Sequence, residues 1–327
     1  MDLMTKDTGL ERTKRSIEQL LSALLPGGEV LKDFRDPTTV ELMINDDGSY
    51  WVEKLGSEMT YKGIVQAALV MSIIKQVSGS HEQIVDYEHP VCEGEFPLDG
   101  SRFEGFIPPI VKSPCFSLRK KASKIFTLDQ YVQTNVMTEQ QKKLIDKMIV
   151  DRKNMLICGG TGSGKTTLIN AIIERMVHLC PNDRIVIIED TGEIQCSAKN
   201  KVQLRSTSFT PMNLLLKGTL RLRPDRILVG EVRGEEALDL MDAWNTGHPG
   251  GMATVHANNA VEALDRIKSL ISRNASCPKE GMEKQIANTI NAVINIVRTK
   301  GGRVLKDVIE VSGYDFIHNS YIFNKIA

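Results

Sequence analysis

Asn154-Met155-Leu156-Ile157-Cys158-Gly159-Gly160-Thr161-Gly162-Ser163-Gly164-Lys165-Thr166-Thr167 is the stretch that decides the fold. An apolar run leads in, and a helical pattern from Lys165 to Leu179 leads out. Gly159 to Thr166 matches G-x-x-x-x-G-K-[ST], and the chemistry explains each residue type. Glycines let successive backbone N–H groups curl inward onto phosphate oxygens. Lys165 would set a positive charge on the β- and γ-phosphates, and the Thr166 hydroxyl would ligate Mg2+. A helix opening at Lys165 adds the positive end of its dipole. The pattern therefore predicts an ATP and Mg2+ site lined by Gly159, Gly160, Thr161, Gly162, Ser163, Gly164, Lys165, Thr166 and Thr167. An accidental glycine turn is the bland alternative, and the matched strand–loop–helix context argues against it.

Outward from this loop, buried strands alternate with helices. Arg184–Ile188, Arg226–Val229 and Met252–Val255 read as strands. Pro211–Leu220, Glu235–Trp244 and Val261–Ser272 read as helices. This alternation predicts a parallel sheet covered on both faces. From Ala292 the pattern changes to an antiparallel hairpin turning at Lys300-Gly301-Gly302-Arg303. Upstream, Thr138 is a candidate N-cap for a helix to Val150, and Phe126–Met137 reads as a connecting segment. Before that lie a helix over about 10–25, strands at Val40–Ile44 and Tyr50–Lys54, and a helix over Thr60–Val77. Asn45-Asp46-Asp47-Gly48 supplies turn chemistry between the two strands. Residues from about 84 to 120 are rich in Gly and Pro, with short strand-like pieces. The expected organisation is a smaller α+β domain over 1–125, a linker over 126–137, and a C-terminal α/β phosphate-loop domain over 138–327.

Two apolar strands end in acids. Arg184-Ile-Val-Ile-Ile-Glu189-Asp190 is one, with Glu193 close behind; Arg226-Ile-Leu-Val-Gly230-Glu231 is the other. Open α/β sheets carry their chemistry at the carboxyl ends of strands. Glu231 is therefore expected to position or deprotonate an attacking water. Glu189, with Asp190 or Glu193, is expected to hold the magnesium shell. A solvated loop acid is the alternative at each single position. The strand Met252-Ala-Thr-Val-His256 ends in a histidine placed to report on the γ-phosphate. His248, in Thr246-Gly-His-Pro-Gly-Gly251, reads equally well as a structural residue.

Composition bounds the rest. The chain has 327 residues, long for a single core. Lys plus Arg and Asp plus Glu both count 41, so the net charge is zero and weighs against direct nucleic-acid binding. Six cysteines, Cys92, Cys115, Cys158, Cys180, Cys196 and Cys277, form no C-x-x-C pair, so no zinc site is expected. The N-terminus lacks a signal-peptide pattern. Ile64–Ile74, the most apolar stretch, is too short to span a bilayer, so a soluble protein is expected.

Together these motifs resemble a known family. Gly159–Thr167, Ile188-Glu-Asp-Thr191, Leu220–Arg233 and Thr246–Asn258 look like the Walker A, Asp-box, Walker B and His-box motifs of the secretion-superfamily traffic ATPases. Those proteins serve type II and type IV secretion and pilus machines. Val40-Glu-Leu-Met-Ile-Asn45 and Trp51-Val-Glu-Lys54 are similar to that family's first domain. Among its branches the chain is most similar to the conjugal-transfer, TrbB-type, type IV secretion ATPases. Type II members usually carry a four-cysteine zinc insertion, and retraction motors have bulky residues where Pro249-Gly250-Gly251 stands. The resemblance implies a RecA-like ATPase domain and a hexamer of two-domain subunits. It also implies partners in an inner-membrane secretion or pilus machine and a location on the cytoplasmic face of that membrane. It further implies arginines from the N-terminal domain at the phosphates, which Arg102 and Arg119 fit. Arg221, Arg223 and Arg233 are further candidates for a phosphate or a subunit boundary. A pilus-retraction or type II secretion motor, a small-molecule kinase and a DNA translocase are the competing readings.

Overall fold

The computed structural model describes residues 3–121, 125–207, 209–274, 281–299 and 301–326. Cys277 lies outside these residues, as does Lys300 at the predicted hairpin turn. The chain divides into two compact units, Met1–Ser123 and Lys124–Ala327.

The N-terminal unit runs α1 (Leu3–Leu24), α2 (Glu29–Arg35), β1 (Thr39–Ile44), β2 (Ser49–Lys54), β3 (Thr60–Ile64), α3 (Ala67–Ser80), β4 (Val91–Glu95), β5 (Arg102–Phe106) and β6 (Cys115–Arg119). Its strands form one antiparallel sheet in the order β3-β2-β1-β6-β5-β4. Ile17, Leu21, Phe34, Ile73, Ile74 and Val77 from the helices share one core with Leu42, Val52, Phe103 and Leu118 from the sheet. The helix expected over Thr60–Val77 is instead a strand followed by a helix. Thr60 and Tyr61 pair with Val52 and Trp51 on the sheet edge, and Tyr61 packs edge-on against Trp51. Gly63, at φ +150°, lets the strand pass the Leu25 side chain: a Cβ there would sit 3.2 Å from Leu25 Cδ2. Cross-strand aromatic contact outweighed a helical spacing that the apolar residues of α3 alone had produced.

The C-terminal unit runs α4 (Leu128–Gln133), α5 (Glu139–Val150), β7 (Met155–Cys158), α6 (Lys165–Leu179), β8 (Ile185–Glu189), β9 (Lys201–Arg205), α7 (Met212–Thr219), β10 (Arg226–Val229), α8 (Glu236–Asn245), β11 (Met252–Val255), α9 (Ala260–Ile271), α10 (Met282–Thr289), β12 (Ala292–Thr299), β13 (Gly302–Asp315) and β14 (Ser320–Ile326). The expected connecting segment contains α4, capped by a reciprocal Thr127–Gln130 box. Thr138 and Gln141 repeat the same box at α5.

The sheet order is β14-β13-β12-β7-β11-β10-β8-β9. Strands β12, β7, β11, β10, β8 and β9 are parallel, while β13 and β14 add an antiparallel edge. This is the α/β fold with a C-terminal antiparallel hairpin that the pattern predicts, extended by β9, β14 and α10. Each central strand serves both faces because successive side chains alternate. Leu156 and Cys158 enter a core with α8 and α9, while Met155 and Ile157 enter one with α5 and α6.

Acids grouped about one phosphate loop suggest that their strands border the loop's own strand. The structure corrects this: β7 is flanked by β11 and β12, and β10 and β8 lie beyond β11. Chain order gives no hint that β11 inserts between β7 and β10.

Candidate nucleotide site

The loop after β7 is shaped by close contacts at its glycines. A Cβ on Gly159 would lie 2.3 Å from Ile296 O and 2.5 Å from Ser163 Oγ. Gly164 sits at φ +99°, a left-handed conformation that glycine adopts without steric cost. Ser163 Oγ is buried and makes no hydrogen bond within the described residues. An orphaned hydroxyl beside a curled backbone fits a cradle for phosphate oxygens.

Lys165 is nearly buried, and its ammonium donates to Gly159 O at 2.9 Å and Gly160 O at 3.0 Å. It also lies 3.2 Å from His256 Nδ1. An ammonium has only donors, so Nδ1 accepts and the ring proton sits on Nε2. Nε2 then donates to Glu231 Oε1 at 3.0 Å. Glu231 Oε2 meets Arg233 Nη2 at 2.6 Å, and Arg233 Nη1 meets Asp190 Oδ2 at 2.7 Å. A continuous polar chain therefore joins the ends of β7, β11, β10 and β8. Burial works to raise the Glu231 pKa, but the Arg233 hydrogen bond and the Arg233 and Lys165 charges, with the Nε2–H of His256 aimed at the carboxylate, outweigh it. The net effect holds the carboxyl below its ordinary value of 4.5.

A second set of contacts centres on Glu193. Thr166 Oγ1 donates to Glu193 Oε2 at 3.0 Å. One turn on, buried Asn170 donates from Nδ2 to Glu193 O at 3.1 Å and accepts at Oδ1 from Gln195 N at 2.9 Å. Thr166 and Asn170 share a face of α6 at i, i+4 spacing. Glu189 is buried, and its Oε2 accepts from Glu193 N at 3.0 Å and Ile194 N at 2.9 Å. It thus fixes the loop that presents Glu193. Magnesium commonly takes one or two protein oxygens and fills its shell with phosphate and water. Thr166 with Glu193 is a donor set of that kind. No cluster of three or more His, Cys, Asp or Glu side chains suited to a metal occurs among the described residues.

Beside Gly160 and Thr161, on the β11 side, a cavity of about 470 Å³ is lined by His256, Asn258, Glu262 and Arg266. His248 is not there. It precedes β11, so roughly 13 Å of strand separates its loop from His256. Arg221 and Arg223 precede β10 and are exposed at that same far edge.

The far edge has its own clamp. Arg226 is fully buried and bonds Asp183 Oδ2 at 2.6 Å, Ile149 O at 2.9 Å and Gly250 O at 3.2 Å. Sequence reasoning missed this residue and Asn170. The available signals were a charge opening an otherwise apolar strand and an amide within Leu168-Ile-Asn170-Ala-Ile-Ile173. In the N-terminal unit, Arg102 and Arg119 stand directly opposite each other on β5 and β6, both half-buried.

Comparison with known proteins agrees with the architecture. A family model described as Type II/IV secretion system protein matches residues 39–316. The conjugal transfer protein TrbB of Rhizobium radiobacter is 44% identical over 307 residues, covering 94% of each chain. Protein VirB11 of Agrobacterium fabrum is 28% identical over 301 residues, covering 81% of this chain and 86% of the relative. The Yersinia pseudotuberculosis ATPase DotB shares the fold, with a TM-score of 0.62 at 16% identity over 88% of this chain and 80% of that one. The pilus retraction motor PilT, solved with bound ADP, gives 0.60 at 20% identity over 89% and 84%. The family model spans most of the sequence and the TrbB relative nearly all of it, so the chain belongs to the type II/IV secretion system protein family.

Proposed function

We propose that this protein is an ATP hydrolase whose turnover powers type IV secretion of the conjugative-transfer kind, working as a hexamer. The observation that carries the reading is the polar chain Lys165–His256–Glu231–Arg233–Asp190, which begins at the phosphate loop and ends on the neighbouring strand ends.

Glu231 is the residue assigned to the attacking water. It stays ionised at neutral pH and is held from both sides, by His256 and Arg233. As the water oxygen bonds to the γ-phosphorus, its proton passes to Glu231 and the bond to the β–γ bridging oxygen breaks, leaving ADP and phosphate. Lys165 meets the phosphate charge, and His256 keeps Lys165 and Glu231 in register. Thr166 and Glu193 are assigned to magnesium, which when bound neutralises charge across the β- and γ-phosphates. Glu189 and Asn170 are positioning residues for Glu193. Arg102 and Arg119 are assigned to the developing phosphoryl charge. Two guanidiniums set opposite one another repel, and an anion between them turns that repulsion into binding.

The family relatives bear names from conjugal transfer and type IV secretion. No helix among the described residues is long and apolar enough to cross a membrane. A peripheral place on the cytoplasmic face of the inner membrane, against the proteins of the secretion machine, is the location that fits this reading. The test is mass measurement of the purified protein with ATP and Mg2+, together with phosphate release. A hexamer whose phosphate release is abolished by Lys165→Ala is expected. A competent monomer would sink the ring, and a phosphorylated small molecule in place of free phosphate would favour a kinase.

A further inference from the structure

Arg205 closes β9, the edge strand of the C-terminal sheet, and has no part in the hydrolysis assigned to Glu231. It stands beside Glu189 in the parallel β8–β9 register. Ser206 N carries the pairing on with a hydrogen bond of 3.0 Å to Glu189 O. The end of β9 is therefore fixed against the point where β8 gives way to the acid-bearing loop.

Two contacts tie Arg205 to that loop. Its Nε lies 3.9 Å from Glu189 Oε1. Its guanidinium lies over Gly192: a Cβ built there would fall 1.8 Å from Nη2 and 2.3 Å from both Cζ and Nη1. Gly192 is not among the glycines with positive φ, so its backbone does not call for glycine. What the position requires is the missing side chain, which leaves room for the guanidinium.

The charges explain why an arginine is useful there. The Glu189 side chain is 2% exposed and that of Arg205 38%, so the cation stands between a buried carboxylate and water. Burying a carboxylate is costly unless a cation and hydrogen bonds balance it. The N–H groups of Glu193 and Ile194 supply the hydrogen bonds at Oε2, and Arg205 supplies the charge on the Oε1 side. The loop held in this way carries Asp190, which meets Arg233, and Glu193, which meets Thr166. We propose that Arg205 is a positioning residue for the magnesium side of the site. It answers the Glu189 carboxylate and lies over Gly192, so that Glu193 stays within reach of Thr166. This rests on the ATPase reading, in which Thr166 and Glu193 take magnesium.

The test is titration calorimetry of ADP on the full chain over a series of Mg2+ concentrations. Arg205→Ala should raise the Mg2+ concentration that gives half of the gain in ADP affinity by about tenfold, the lower end for residues that orient metal ligands. ADP affinity without Mg2+ should stay within about twofold of wild type, the range of a change away from the bound group. Gly192→Ala should act in the same way, because the added methyl displaces the guanidinium. In the variant carrying both changes the methyl meets no guanidinium. Its Mg2+ midpoint should therefore match that of Arg205→Ala alone, as for residues that act through one contact. An unchanged midpoint in Arg205→Ala overturns the proposal. So does weakened ADP binding without Mg2+, which marks a collapsed loop, and so does a double variant in which the two effects multiply. Phosphate release from ATP by the wild-type chain is followed alongside. Its absence overturns the ATPase reading, while the Mg2+ midpoint still decides the role of Arg205.

Discussion

Glu231 and His256 come from strands adjacent in space, and Oε1 of the first lies 3.0 Å from Nε2 of the second. The histidine's other nitrogen faces Lys165, so one ring couples the ammonium of the glycine loop to the carboxylate at the end of the next strand. Replacing Glu231 with Gln should leave ATP binding within a few-fold of normal. Turnover should fall by about a hundredfold or more, the usual scale for losing a general base. Turnover near the normal rate would remove Glu231 from the mechanism.

The pH dependence follows from the same carboxylate. Its folded pKa lies below the ordinary 4.5, so its contribution to stability is complete above the unfolded value. That contribution is lost only as pH falls through the depressed folded value. The carboxylate of the free protein stays charged from neutral pH down to about pH 5, and the acid limb of kcat/KM should not appear in that interval. Arg233→Ala removes the main opposing charge and leaves burial to act. The acid limb should then move to higher pH, which a kcat/KM profile measured over that range would reveal.

Asn170 makes two hydrogen bonds to the Glu193 loop. Asn170→Ala should cost about 1–3 kcal/mol, because it leaves half-buried backbone groups of Glu193 and Gln195 without their amide partner. The magnesium concentration for half-maximal ATPase activity should rise several-fold, with ADP affinity measured without magnesium unchanged. An unchanged magnesium requirement would make Asn170 a packing residue only.

Arg226 ties the opposite edge of the sheet together. Arg226→Met should destabilise the C-terminal unit by about 3–5 kcal/mol, the scale for breaking a buried ion pair. Arg226→Lys should recover little of this, because one ammonium cannot reproduce a fork that reaches Asp183, Ile149 and Gly250. Urea unfolding of both variants checks the claim.

Arg102 and Arg119 face each other across the β5–β6 ladder. Arg119→Ala should change stability by less than about 1 kcal/mol, since Arg119 stands opposite Arg102 on one side and Glu41 on the other. The same change should slow hydrolysis by about a thousandfold if the arginine stabilises transferred charge. A parallel loss of stability and activity would mark Arg119 as a structural residue.

The legible parts of the fold were those with local signals. Strand β7, the glycine loop and α6 read directly, because their chemistry is contiguous. The ends of β10 and β11 read as well, each four-residue run being fully buried and apolar but for Arg226 and Thr254. The strand order did not, because it depends on which long-range pairings bury most, and no local residue reports it. Strand β9 alternates exposed with half-buried positions at the sheet edge, so it lacks the apolar run that marks its neighbours. Within the site, Glu189 read as a candidate magnesium residue because it ends a strand. Its Oε2 also accepts from backbone N–H groups four and five residues on, contacts that only the loop's path reveals.

The placement of β7 between β11 and β12 bears on the chain's synthesis. Both neighbours of the phosphate-loop strand are translated long after it, and the contact between Asn295 and Cys158 spans 137 residues. A nascent chain therefore carries the glycine loop well before it carries the strands that flank it. Loop-closure entropy has to be overcome twice before β7 is enclosed. Until then its apolar residues are exposed to water and to other chains, the condition in which half-made sheets aggregate. A ribosome-bound fragment ending before residue 252 should thus be a client for chaperones rather than a nucleotide binder.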